Sequence, residues 1–238
     1  MDQTQTARYD RASLLSIGIV LVLLWGFYRT YIVFFPSFEG FVFVQHFHGI
    51  MMSLWMACLI AQPLLISRKK YQIHKLIGKI SFVLAPLLMI SIFGVSKMTF
   101  ERNLAASTME DAVAGISLSI PGLIIFAVLY GLAIKNRPRT YYHMRYMIGT
   151  ALLMIGPGLG RVLILYFEMP PPIGISITLA AVSVLAVTLL VLDLIKKQDY
   201  KPFLIVTALM VLQSLLWEIR YTALWQGVGE VISKFYLV

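Results

Sequence analysis

Six ionisable residues lie within or beside long apolar stretches of this 238-residue chain, where a charged side chain is costly. They are Arg29, His46, His48, Arg161, Glu218 and Arg220. An ionisable side chain inside a membrane span costs about 2.5 to 3.5 kcal/mol, and it usually faces a partner or a water-filled cavity. The six come from four predicted helices, at similar depth near the outer face. They therefore predict one polar pocket that opens outward.

These residue types suit anion binding and proton transfer. The three arginines would hold the negative charge of a small anionic or lipid-like ligand, and His48 or Glu218 would act as a general acid or base. Residues 156–161 place glycines, which allow helices to approach closely, around Pro157, which frees a backbone carbonyl. The sequence thus predicts a functional pocket whose ligand stays unnamed.

The same residues also allow a purely structural role. Arg29 and Arg220 are close enough to the outer boundary for their side chains to snorkel to the interface. Arg161 would then pair with Glu218 inside the bundle. In that case the chain is a structural or accessory membrane subunit.

His46 and His48 form a second candidate site, for a metal ion. Both could face one ion if the second helix begins at His48 and His46 lies in the preceding turn. A thioether from Met51 or Met52 would favour copper, and histidine also suits zinc. Two histidines leave a tetrahedral site short of ligands, so interfacial histidines without a metal are the alternative.

His74 and His143 form a third constellation. Each lies at the inner end of an odd-numbered predicted helix, so both face the same side. Two neutral imidazoles from facing helices could be the axial ligands of a b-type haem, with nearby basic residues neutralising its propionates. The alternative is that each histidine caps a helix or contacts lipid head groups.

The composition shows which elements must position these residues. The chain is 59% hydrophobic and 13% charged, with a mean hydropathy of +0.83. Globular proteins average about 25% charged residues. A water-soluble enzyme, a disordered tail and a nucleic-acid binder are therefore excluded, and the lipid bilayer is the expected partner.

Seven stretches are long enough to span a bilayer, which takes about 20 mostly apolar residues. They cover residues 13–35, 41–66, 76–98, 112–134, 146–167, 173–194 and 203–225. The connections between them are too short for a soluble domain. The predicted fold is an all-α integral membrane protein, with residues 1–238 forming a single bundle of seven transmembrane helices.

Charge is distributed unevenly between the two sides of this bundle. The N-terminus and the loops after the second, fourth and sixth helices hold fourteen basic residues, including Arg145, and four acidic ones, including Asp193. The opposite side holds three basic and six acidic residues. The positive-inside rule places the first side in the cytoplasm, so the N-terminus is inside and the C-terminus outside. We expect the protein to be located in the bacterial cytoplasmic membrane.

The segment from His46 to Gly78 carries a family resemblance. The pattern His46-x-His48-Gly49, then Trp55, Gln62, His74-Lys75 and Gly78, resembles that of a group of uncharacterised bacterial multi-pass membrane proteins. The group's pattern runs His-x-His-Gly, Trp, Gln and His-(Arg or Lys)-x-x-Gly. The resemblance implies that these residues form one unit, and it implies no particular reaction.

A looser resemblance is to the two-haem b-type cytochromes that pass electrons from ascorbate across membranes. Their core helices also begin His-Gly-x-x-Met, as His48-Gly49-Ile-Met51 does here. That family needs two histidines on each side, whereas the outer side here has His46 and His48 on one helix only. The resemblance therefore implies one haem at most, between His74 and His143.

Three functions remain open from the sequence. The chain is a carrier or membrane-embedded enzyme for a small ligand, a membrane redox protein with one haem, or an accessory subunit. It lacks a phosphate-binding glycine loop, a nucleophile motif and a paired-carboxylate motif, so no catalytic mechanism follows.

Overall fold

Seven helical spans dominate the computed structural model, which describes residues 3–237. Within that range each of the seven is long and apolar enough to cross a membrane. This confirms the predicted all-helical class and indicates an integral membrane protein with several spans. The cytoplasmic N-terminus, the outer C-terminus and the identity of the membrane stay predictions. Asp2, which entered the charge count, lies outside the described residues.

Nine α-helices follow one another in this part of the chain. They are α1 (Gln3–Tyr28), α2 (Phe43–Ser67), α3 (Tyr71–Ala106), α4 (Met109–Lys135), α5 (Thr140–Leu153), α6 (Ile155–Tyr166), α7 (Pro171–Ile195), α8 (Lys201–Glu218) and α9 (Ala223–Ser233). The spans are Tyr9–Tyr28 of α1, then α2, α3, α4, α5 with α6, α7 and α8.

The first span ends earlier than the sequence predicts. Helix α1 stops at Tyr28, and a short 3-10 helix follows at Ile32–Phe34. The residues around this point are aromatic or β-branched, which lowers helix propensity, and Phe35 is extended because it precedes Pro36. The placement of Arg29 inside the first helix was therefore wrong: it lies in the turn that follows.

The seventh span also ends early, at Glu218. The guanidinium of Arg220 donates a hydrogen bond to the Trp217 carbonyl at 2.7 Å, so the side chain caps the helix end. Helix α9 begins after Thr222, whose hydroxyl donates to the Ile219 carbonyl at 2.7 Å. Arg220 therefore lies in a turn between two helices and not within the last span.

The fifth span is divided into α5 and α6 at Met154. Pro157 lies in the first turn of α6, where its missing N–H leaves the carbonyl of Leu153 without its usual helical donor. That this carbonyl is left free for another partner stays a prediction. After this break the new helix begins at Ile155, six residues before Arg161.

The chain groups into two compact units. The first consists of Met1–Ser91 and Thr150–Gly174, and the second of Ile92–Gly149 and Ile175–Val238. Helix α3 contributes to both. The expectation of a single domain over residues 1–238 stays a prediction.

In the first unit, α1 packs closely against α2 and α6. Gly26 faces the backbone of Gly158, and a Cβ on Gly158 would lie 3.0 Å from the Leu23 backbone. Because these neighbours are main-chain atoms, they cannot move aside as a flexible side chain would. The prediction that the glycines of residues 156–161 allow close helix approach is thus confirmed at Gly158.

In the second unit, α9 covers a buried cluster on α4. Phe100, Val113, Trp225 and Tyr236 are each 5% exposed or less. The Trp225 indole donates to the Val113 carbonyl at 3.0 Å, which satisfies a polar group in an otherwise apolar cluster. This contact holds α9 beside the fourth span.

Large apolar side chains cover the outside of the spans. Leu21, Val83 and Val184 are each more than 60% exposed within the described structure. Exposed apolar area on this scale is unfavourable in water and is expected where lipid surrounds a helix. The surface thus agrees with the membrane assignment.

Candidate functional site

The six ionisable residues predicted to share a pocket are divided between the two units. Arg29, His46, His48 and Arg161 lie in the first unit, and Glu218 and Arg220 in the second. A single pocket that contains all six stays a prediction.

Arg161 is half-buried on α6, and its contacts include two neutral groups. Its Nη1 donates to the Pro157 carbonyl, one turn earlier, at 2.8 Å. Its guanidinium carbon lies 4.0 Å from the centroid of the Phe27 ring on α1, a cation–π contact. These contacts fix the direction of the planar guanidinium, and they bring a permanent positive charge to the α1–α6 boundary.

His48 is half-buried on α2 and contacts Ser91 of α3. The Ser91 hydroxyl has one proton, which it donates to the Leu88 carbonyl at 2.7 Å. With that proton used, we assign the His48 Nδ1, 3.1 Å from the Ser91 oxygen, as the donor in their hydrogen bond. The neutral imidazole then carries its lone pair on Nε2, where it can accept a proton or a hydrogen bond.

His48 and Arg161 both belong to the first unit. They come from different helices, α2 and α6, and are far apart in sequence. The spans of the first unit therefore contain a permanent cation and a titratable imidazole. We call these two residues the Arg161–His48 site.

His46 lies in an aromatic cluster at the start of α2. Its Nδ1 is 2.5 Å from the Tyr31 hydroxyl, and the rings of Phe38 and Phe41 also pack against it. Burial raises the pKa of Tyr31, so the phenol stays protonated at neutral pH. His46 is therefore part of a cluster that closes the connection between α1 and α2.

Arg29 lies in the turn that follows α1 and is exposed. Its Nη1 donates to the Leu165 carbonyl at 2.9 Å, and its guanidinium lies 5.0 Å from the centroid of the Tyr166 ring. Arg29 therefore joins the ends of α1 and α6, which is a structural contact.

The copper or zinc expectation at His46 and His48 receives no support. Each Nδ1 already has a partner, Tyr31 for one and Ser91 for the other. Across residues 3–237, no group of three or more His, Cys, Asp or Glu side chains comes together as a metal site. A metal there would need ligands that the described residues do not bring together.

The haem expectation at His74 and His143 also receives no support. His74 lies in the first unit and His143 in the second. The His143 Nδ1 donates to the Ala133 carbonyl at 2.9 Å, which orients its ring within its own unit. Both side chains are half-buried.

Three residues of the family-like pattern meet where α2 packs against α3. The Gln62 amide donates to the His74 carbonyl at 3.2 Å. The same amide nitrogen lies 3.7 Å from the position a Cβ would take at Gly78. This contact involves the His74 backbone and not its ring, and the unit implied by the family resemblance stays a prediction.

In the second unit, Glu218 accepts a hydrogen bond from a serine. The Ser176 hydroxyl donates to Glu218 at 2.6 Å and accepts from the Trp217 indole at 3.0 Å. The Arg220 guanidinium lies 3.9 Å from the centroid of the Trp217 ring. Sequence reasoning did not identify Ser176, and the predicted pair of Arg161 with Glu218 stays a prediction.

The charge count misassigned one pair of residues. Arg145 and Asp193 were counted as loop charges, but they are 4% and 5% exposed and form a bidentate ion pair at 2.6 and 2.7 Å. The Tyr141 hydroxyl also donates to Asp193, at 3.0 Å. A signal was present in the sequence: an aspartate inside the apolar end of a helix, and Tyr141 one turn before Arg145.

Compared with family models, curated proteins and solved structures, the chain matches none.

Proposed function

We propose that this protein is a carrier or membrane-embedded enzyme that binds a small anionic or lipid-like ligand at the Arg161–His48 site. The observation that carries the proposal is that two different membrane spans of the first unit each hold an ionisable side chain, Arg161 on α6 and His48 on α2. Charged and titratable groups in membrane spans are expensive and are typical of ligand or proton pathways.

The guanidinium favours an anion of planar or tetrahedral geometry. Its donors form a rigid fork that matches a carboxylate or a phosphate, and stacking on Phe27 sets the plane of that fork. The Pro157 carbonyl uses one donor of Nη1, which orients the group without adding a negative charge. An anionic head group with an apolar tail fits this mixture of charge and aromatic surface.

His48 adds a proton acceptor to the same site. Because Ser91 accepts from Nδ1, Nε2 is the atom that would meet a hydroxyl or acidic proton of the ligand. A group of this kind serves a carrier as a hydrogen-bond acceptor and an enzyme as a general base. The proposal covers both cases.

The test is thermal stabilisation of the detergent-purified protein by octanoate and octyl phosphate, with octanol as the uncharged probe of equal chain length. A ligand at 100 times its Kd stabilises the folded state by about 2.7 kcal/mol. We expect the anionic probes to raise the apparent Tm, octanol to leave it unchanged, and Arg161→Met to abolish the shift.

The matched control is Arg102→Gln, because Arg102 is exposed on α3 and belongs to the second unit. This variant should keep the full shift. An Arg161→Met protein that folds and still shows the shift contradicts the proposal, as does equal stabilisation by octanol.

A further inference from the structure

A cavity of about 430 Å³ lies between the first turns of the α1 span and the last turn of α2. Its wall contains one acidic and one basic residue, Asp10 and Arg68, and three large apolar residues, Leu14, Ile17 and Leu64. All five belong to the first unit. On α1 and α2 the cavity lies at the end opposite to Arg29 and His46.

The two charged side chains of this wall do not neutralise each other. Among the described residues neither Asp10 nor Arg68 takes part in an ion pair. The Ser13 hydroxyl, which also lines the cavity, donates to the Ile60 carbonyl at 3.1 Å and so links α1 to α2. The cavity therefore offers one carboxylate and one guanidinium, and the hydrogen bond from Ser13 to Ile60 joins the two helices that form its wall.

An apolar stripe leads away from the cavity along α1. Leu14, Ile17, Leu21 and Leu24 are 64%, 38%, 62% and 51% exposed, and their spacing of three or four residues places them on one face of the helix. The stripe begins at the charged wall and runs toward the opposite end of the span. Its exposed apolar side chains suit contact with an acyl chain.

We propose that this cavity is a binding site for a phospholipid whose head group carries both a phosphate and a primary ammonium, as in phosphatidylethanolamine. The phosphate would pair with Arg68 and the ammonium would donate to Asp10, while an acyl chain lies on the α1 stripe. A choline head group has no N–H to donate, so Asp10 favours the ammonium lipid. This site is separate from the Arg161–His48 site and does not depend on it.

The basic residues nearby make an anionic lipid the main competitor. Arg11, Lys69 and Lys70 flank the cavity in sequence, and clusters of basic residues attract anionic head groups. They are not part of the lining. The carboxylate of Asp10 lines the cavity, and it repels a head group that bears only negative charge.

The experiment is native mass spectrometry of the detergent-purified protein mixed with equal amounts of phosphatidylethanolamine, phosphatidylcholine and phosphatidylglycerol. We expect about threefold more bound phosphatidylethanolamine than phosphatidylcholine, a ratio that fits one exposed charge pair. Asp10→Asn should make the two lipids equal. Arg68→Gln should reduce the binding of both.

Two matched controls are Lys70→Gln, a neighbouring charge outside the lining, and Glu39→Gln, an exposed carboxylate distant in sequence. Both should keep the preference of the native protein. Equal retention of all three lipids, a preference for phosphatidylglycerol, or an Asp10→Asn protein that keeps its preference would overturn the proposal. Octanoate binding at Arg161 would be unaffected in each case, so the two proposals can fail separately.

Discussion

The buried ion pair between α5 and α7 permits a quantitative prediction for Asp193→Asn. The substitution keeps the shape of the side chain but removes its charge, so Arg145 is left as a buried cation at 4% exposure. Breaking a buried pair in this way costs about 3 to 5 kcal/mol. The Tyr141 ring, whose centroid lies 3.2 Å from the guanidinium carbon, offsets part of the loss. We therefore expect about 3 kcal/mol, or more than a hundredfold in the folding equilibrium.

The assay is reversible unfolding in mixed micelles as the fraction of sodium dodecyl sulfate is raised, followed by tryptophan fluorescence. The double variant Arg145→Met with Asp193→Leu removes both charges and fills the space with apolar groups. Replacing a buried pair by apolar residues is often neutral or stabilising. The double variant should therefore be clearly more stable than Asp193→Asn alone.

The control is Glu230→Gln, which removes an exposed carboxylate of α9 and should change stability by less than about 0.5 kcal/mol. A loss below about 1 kcal/mol for Asp193→Asn would show that Arg145 is not desolvated as the structure indicates. A double variant as unstable as the single one would show that the pair is needed for its shape and not for its charge balance.

Two further predictions concern packing and pH. Gly158→Ala should destabilise the protein by about 1 to 3 kcal/mol in the same unfolding assay, because its Cβ would meet the Leu23 backbone. The control Gly156→Ala should be nearly neutral, because nothing lies within 4 Å of a Cβ at that position. Equal effects of the two substitutions would refute the close approach of α1 and α6. The hydrogen bond from Tyr142 lowers the pKa of Asp199 in the folded protein. The ionised carboxylate therefore stabilises the fold at pH values above its unfolded pKa of about 3.9. This stabilisation is lost as the pH falls through the lower pKa of the folded state. The Tm difference between the native protein and Asp199→Asn should accordingly shrink below about pH 4, and a constant difference from pH 7 to pH 3 would contradict this assignment.

The existence of the spans could be predicted from the sequence because a bilayer imposes a simple rule. Every backbone polar group must be paired within the segment, and about 20 apolar residues are needed to cross. The residues at which the spans end did not follow from hydropathy. Hydropathy continues through Phe35 and Trp225, whereas the helices stop at Tyr28 and Glu218 because turns and side-chain caps compete with the next helical hydrogen bond.

Part of the candidate site was also predictable. Arg161 and His48 stood out because ionisable residues are rare in apolar spans, and rarity can be read without any structure. Their partners could not be predicted. Phe27 and Ser91 are ordinary residues of membrane helices, and only packing brings one to the guanidinium and the other to the imidazole.

By itself, then, the sequence determined the class of protein, the number of spans and the residues whose charge demands an explanation, because these depend on composition over local stretches. Only the tertiary structure decided which charges are buried and what they meet. Arg145 and Asp193 are of residue types that are common in loops, yet both are buried and form an ion pair between two helices. The physical reason is that the free energy of a charge depends on its surroundings, and packing between distant segments creates those surroundings.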